Sequence, residues 1–99
     1  MVSTLAGDPI LGELVELYVK EMPQRVARLK SLAQARHWQE LARVAHQLKG
    51  SAGGYGFGVL SDVADRLERV IRTGEAEPAI IEALGDLVDL CERTRAGTA

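Results

Sequence analysis

Ala45-His46-Gln47-Leu48-Lys49-Gly50-Ser51-Ala52-Gly53-Gly54-Tyr55-Gly56 is the stretch that decides how the rest of the chain must be arranged. Wound as an α-helix at about 100° per residue, it places Leu41, Val44, Ala45, Leu48, Ala52 and Tyr55 on one apolar stripe. His46 falls opposite the centre of that stripe, so its imidazole is expected to face solvent. Beside it on the outer face lie Gln39, Ala42, Arg43, Lys49, Gly50 and Gly53, a mixture of positive charge and residues with almost no side chain. An ordinary solvated face carries Glu, Lys and Gln, because each Gly in a helix interior costs about 1 kcal/mol relative to Ala. On this face helix stability is given up, and access to His46 is what is gained.

Working outward, the helix is expected to open at Trp38, whose ring can close over a bundle end, and to stop near Gly53 to Gly56. The glycines at 53, 54, 56 and 58 supply the positive-φ positions that a stop and tight reversal require. Leu60, Val63, Ala64, Leu67, Val70 and Ile71 mark a further amphipathic helix, closed by Thr73-Gly74. Glu77-Pro78 starts a last helix with Ile81, Leu84, Leu87, Val88 and Cys91 inward, and the tail from Arg95 is expected to fray.

Upstream of Trp38, Arg36-His37 makes the connection and His37 reads as structural or incidental. Val26, Leu29, Leu32 and Ala33 form an inward stripe, with Arg25, Arg28 and Lys30 outward. Pro23 cannot continue a preceding helix unkinked, so residues 8 to 35 read as one kinked helix or two. Asp8-Pro9 has the form of an N-cap and first helical residue, followed by Ile10, Leu11, Leu14, Leu17 and Tyr18 at helical spacing. The pattern predicts an all-α chain: an antiparallel up-and-down four-helix bundle with an additional N-terminal helical segment. Residues 1–99 read as one domain, packed over about 8–95.

Composition narrows the function classes. Apolar residues at 46% and charged residues at 26% describe an ordinary globular chain. No apolar run approaches the roughly 20 residues needed to cross a bilayer, and no basic-then-apolar leader opens the chain, so membrane insertion is not expected and a cytoplasmic location is. Residues 21–50 carry six Lys or Arg against two Glu, whereas residues 51–99 carry nine acidic residues against five Arg. That modest basic block around His46 suits an acidic protein partner or a phosphoryl group. Nucleic-acid binding would call for a larger excess interleaved with aromatics. The one cysteine, Cys91, cannot form an internal disulfide and reads as a small buried apolar side chain. Neither His nor Cys has the companions a metal site needs: HExxH is absent, and no Glu stands three residues before either His. Lys49-Gly50-Ser51 lacks the order and glycine spacing of a phosphate loop.

The central stretch resembles the histidine-containing phosphotransfer (HPt) family. Its signature, His-x-Leu-Lys-Gly-Ser-Ala followed by Gly and a Leu-rich helix, is met by His46, Leu48, Lys49, Gly50, Ser51, Ala52, Gly56 and Leu60. The likeness extends to Trp38 before the motif and Leu67-Glu68 after it. Two departures stand out: the turn after the motif is richer in glycine, and Arg36-His37 replaces the usual Gly-Asp.

The resemblance implies a phosphoryl-carrier module, not a free-standing enzyme. It would take a phosphoryl group on His46 Nε2 from the aspartyl phosphate of a receiver domain and pass it on in a multistep two-component relay. It has no cofactor of its own in this reading; Mg²⁺ is expected on the receiver. The partners implied are response-regulator receiver domains and a hybrid sensor kinase, with the module itself monomeric. A free imidazole, with a pKa of about 6.5, is largely neutral near pH 7 and can act as a nucleophile. Lys49 at i+3 is placed to steady the phosphoryl charge, and Arg43 at i−3 to add a weaker one. Gln47 sits on the flank of the face. Gly50 and Gly53, at i+4 and i+7, leave room for an incoming domain, Ala42 at i−4 keeps the other flank low, and Gln39 completes the docking face. Ser51 lies toward the buried edge, where its hydroxyl is expected to bond back to a carbonyl.

Two competing functions are open. A non-catalytic docking adaptor would tolerate loss of His46. The phosphoacceptor helix of a sensor kinase would want a Pro shortly after the His and an ATP-binding domain, and neither is found in these residues.

Overall fold

A computed structural model describes residue 3 and residues 11–94 of the chain. Among these residues there are five helices and no strand: α1 (Leu11–Lys20), α2 (Met22–Gln34), α3 (Trp38–Gly54), α4 (Gly58–Arg72) and α5 (Glu77–Glu92). Helices α2 to α5 close a ring in which each packs on the next and α5 returns to α2, while α1 leads into α2. The short connections at residues 35–37, 55–57 and 73–76 fix the directions, and ion pairs agree with them. Arg28 meets Glu40 across α2 and α3, Arg66 meets Asp86 across α4 and α5, and Arg36, just past the end of α2, meets Glu77 at the head of α5 while Lys30 of α2 meets Glu92 at the end of α5. Each pairing is antiparallel, giving the four-helix bundle with an N-terminal helix that the periodicity implies.

Three of the reversals share one construction. At the end of α3 the Phe57 N–H donates to the Ala52 carbonyl at 2.8 Å and the Gly56 N–H to that of Gly53 at 3.2 Å, with Gly56 at φ 82°. The same pair of bonds closes α4, with Gly74 at φ 72°, and α2, where the left-handed residue is Arg36 at φ 57°. These bonds satisfy carbonyls that a helix end leaves without partners. A side chain at such a φ costs about 1 kcal/mol or more, which is why glycine is the usual choice and why Arg36 is the departure.

The chain breaks at Glu21 into two helices, settling the open choice over residues 8 to 35. Pro23 sits in the first turn of α2, where its missing N–H is harmless. The Arg25 guanidinium donates to the Tyr18 carbonyl at 2.8 Å and lies 4.0 Å above the Tyr18 ring, stitching α2 back onto α1. The expected start at Asp8-Pro9, Ile10 and the tail from Arg95 lie outside the described residues.

The core runs the length of the ring. Leu29, Leu41, Phe57, Leu60, Leu67 and Leu87 are fully buried; burying each such side chain contributes about 1.5–3 kcal/mol. Phe57 anchors the α3–α4 turn and, with Tyr55, stacks on Tyr18, the Tyr rings standing 4.5 Å apart. Leu41, Val44, Ala45, Leu48 and Ala52 are buried as the α3 stripe requires. Cys91 is buried too, and burial pushes its thiol up to about 11, so it stays a protonated, apolar side chain.

Two registers differ from expectation. On α1 the inward residues are Val15 and Tyr18, whereas Leu11, Leu14 and Leu17 face outward. Among the described residues α1 has only the narrow packed face of Val15 and Tyr18, and apolar spacing alone does not choose it. On α5 Ile80 is inward and Ile81 is 46% exposed, because the stripe of Ala83, Leu84, Leu87 and Val88 takes its 3.6-residue period from Ile80.

Candidate functional site

The antiparallel register of α3 and α4 builds a polar seam along one edge of the bundle. Gly53 faces Ser61, Lys49 faces Asp65 and His46 faces Glu68. His46 stands on the outer side of α3 with 64% of its side chain exposed, as the wheel requires. Its Nδ1 lies 3.1 Å from Glu68 Oε1. Glu68 is otherwise nearly enclosed, 8% exposed, and its second oxygen accepts a 2.8 Å bond from Arg72 Nε. Burial works against ionisation there, yet hydrogen bonds from Arg72 and His46 outweigh it and hold the carboxyl below its ordinary value. An ionised carboxylate only accepts hydrogen bonds. Nδ1 must therefore carry the proton, which leaves the lone pair of the neutral ring on Nε2, the nitrogen facing away from α4.

One turn along, Lys49 Nζ donates to Asp65 Oδ1 at 2.9 Å, and Asp65 Oδ2 forms an ion pair with Arg69 Nε at 2.9 Å. The Asp65 hydrogen bond and charge raise the Lys49 pKa above its ordinary value, and the Lys49 hydrogen bond leads the causes that lower Asp65, against a smaller opposing effect of burial. Lys49 is thus a firmly protonated cation whose ammonium rests on α4.

Gly50 is exposed, and a Cβ built on it would meet no atom within 4 Å. The surface beside His46 is open there because the residue is glycine, not because packing demands one. Gly53 is also exposed, but a Cβ there would touch Ser61 Oγ at 3.5 Å, an ordinary contact. Ser61 Oγ donates to the Lys49 carbonyl at 2.8 Å and ties the end of α3 to α4. Gln39 and Gln47 are exposed, and Arg43 is 68% exposed, 3.8 Å from Glu40. Ser51 donates to the Leu48 carbonyl at 3.2 Å, as expected of a buried-edge hydroxyl, and also meets the Tyr18 hydroxyl at 2.8 Å. His37 is exposed at the head of α3 with no side-chain cap bond.

Ala42 is the correction. It was expected on the docking face and is 1% exposed. The seam with α4 widens the buried arc of α3 beyond its apolar stripe, and the register that pairs 46 with 68 carries Ala42 into that arc. It cannot form part of a docking surface.

Sequence reasoning passed over Asp65, and it named Glu68 only within the Leu67-Glu68 likeness, with no role in the site. A signal for Glu68 was present: an acidic residue with Ala64 at i−4, Leu67 at i−1 and Ile71 at i+3 stands at the edge of an apolar stripe, with Arg72 four residues on. Asp65 carried no such mark.

Among the described residues no group of three or more His, Cys, Asp or Glu could hold a metal ion, and no helix is long and apolar enough to cross a membrane. The family model described as Hpt domain matches residues 13–97, most of the chain. The chain belongs to the Hpt family. Hpt domains act in histidine phosphotransfer within phosphorelays, exchange phosphoryl groups with receiver domains, and carry them as modules without being free-standing enzymes. No curated protein and no solved structure matches this Hpt chain.

Proposed function

We propose that His46 is the phosphoacceptor of this Hpt domain, taking the group from the aspartyl phosphate of a receiver and returning it to another. The observation that carries the reading is an exposed imidazole whose inner nitrogen is already engaged by an ionised carboxylate, so that the outer one is left with its lone pair. In the transfer, Nε2 attacks phosphorus, the N–P bond forms as the P–O bond to the aspartate breaks, and the aspartate leaves as a carboxylate. No proton has to move. The ring keeps its Nδ1 proton and gains positive charge opposite Glu68, which is placed to stabilise it.

The phosphoryl group brings about two negative charges, and Lys49 is the cation of α3 that can swing toward it. Gly50, Gly53, Gln47, Gln39 and the exposed Arg43 form the docking surface for the receiver, which brings Mg²⁺ and an acidic pocket of its own. The domain acts as a monomer in the cytoplasm, on receivers of response regulators and of a hybrid sensor kinase. A receiver charged with labelled phosphoramidate in Mg²⁺ tests the reading. The wild type is expected to take up acid-labile, base-stable label and His46→Gln none. Equal labelling of the two would reject His46.

A further inference from the structure

The Lys49–Asp65 contact bears on how strongly a phosphoryl group can be held. Resting on the reading of His46 as phosphoacceptor, we propose that Asp65 competes with the phosphoryl group for the Lys49 ammonium and so keeps the exchange from lying too far toward phosphohistidine.

The geometry supports this in three ways. Lys49 lies at i+3 from His46, one turn along the same exposed edge, and its Nζ is 2.9 Å from Asp65 Oδ1. Asp65 cannot easily turn away, since its other oxygen is held by Arg69 at 2.9 Å and its side chain is only 28% exposed. Along the α3–α4 seam that holds the ring, three cations, Lys49, Arg69 and Arg72, are paired with two carboxylates, Asp65 and Glu68. Their net charge of one positive, added to the positive charge that the phosphorylated ring itself carries, already matches the roughly two negative charges of a phosphoryl group. Replacing Asp65 by a neutral residue would tip that balance toward holding the group and would release the nearest ammonium at the same time.

A relay module has to give up what it takes. Glu68 and Asp65 are both acidic residues of α4 facing α3, but they act in opposite senses. Glu68 faces Nδ1, where positive charge builds up when phosphorus is bound. Asp65 faces the cation that would otherwise settle on the phosphoryl oxygens. In this scheme Asp65 is a positioning residue: it never touches the reacting atoms, and it acts through Lys49.

Exchange with phosphoimidazole tests this without a protein partner. The N–P bond of the donor, protonated on its other ring nitrogen, breaks as the His46 Nε2–P bond forms, and imidazole leaves in its neutral form. The bond broken and the bond formed are alike, so the ratio of phosphoprotein to phosphoimidazole at fixed free imidazole, read by phosphorus NMR, reports the relative stability of phosphohistidine. Asp65→Asn is expected to raise that ratio about two- to fivefold, the effect of one charge contact at a half-exposed site. In a Lys49→Met background the same substitution should raise it much less. Asp65→Ala serves as a second neutral variant, with helical content checked by circular dichroism. An unchanged ratio in both neutral variants, or a gain that persists in full with Met at 49, would overturn the role of Asp65 while labelled wild type leaves His46 in place. Failure of the wild type to take phosphorus, or its uptake by His46→Gln to the same extent, would overturn the phosphoacceptor reading and this inference with it.

Discussion

His46–Glu68–Arg72 and Lys49–Asp65–Arg69 are the same arrangement built twice, one helical turn apart. In each a basic residue of α3 meets an acid of α4, and that acid is steadied by an arginine four residues further along α4. Both hold the two helices in register. They differ in what is left over. The lysine ends in a single nitrogen, kept protonated by its carboxylate, so it offers charge and no lone pair. Histidine has two nitrogens on opposite edges of a ring, so fixing one edge defines the other as the nucleophile. The lesson is that an ordinary interhelical ion pair becomes reactive chemistry when the base has a far side.

The comparison can be broken at its acid. Glu68→Leu removes the acceptor on Nδ1, frees the ring to turn and to change tautomer, and is expected to slow phosphoryl transfer about ten- to hundredfold, the usual effect of losing an orienting partner. Glu68→Gln keeps an oxygen for Nδ1–H and should lose much less. Single-turnover transfer from a charged receiver separates the two, and equal rates for Leu and Gln would show that Glu68 holds the helices and does nothing for the ring.

A smaller effect sharpens the comparison through pH. Glu68 is more acidic folded than unfolded, so its contribution to stability is fully present above the unfolded carboxyl value of about 4.3 and is lost as pH falls through the lower folded value. Thermal melts of the wild type should therefore lose a few degrees below about pH 4.5, with a flatter acid limb in Glu68→Gln. An identical acid limb in the variant would place the acid sensitivity elsewhere.

Most of the bundle was legible because α3 and α4 each face a wide partner surface, where a 3.6-residue apolar period has one way to lie. The stops at Gly56 and Gly74 followed from glycine's freedom at positive φ. Leu11, Leu14 and Leu17 were misleading for the opposite reason, since among the described residues α1 has too narrow a packed face for spacing to choose it. Ala42 shows the limit of a single-helix wheel, which cannot tell that a second neighbour widens the buried arc. The exposure of His46 was readable from its own helix. Its chemistry was not, because the carboxylate that selects the reactive nitrogen lies 22 residues away and comes within 3.1 Å only through the register of α3 on α4.

That register makes a claim about one proton. Long-range proton–nitrogen NMR on protein labelled with ¹⁵N-histidine reads both ring nitrogens of His46 before and after phosphorylation. A resting ring with its proton on Nδ1, followed by phosphorus on Nε2, is the expected result. A resting proton on Nε2, or phosphorus bonded at Nδ1, would contradict it.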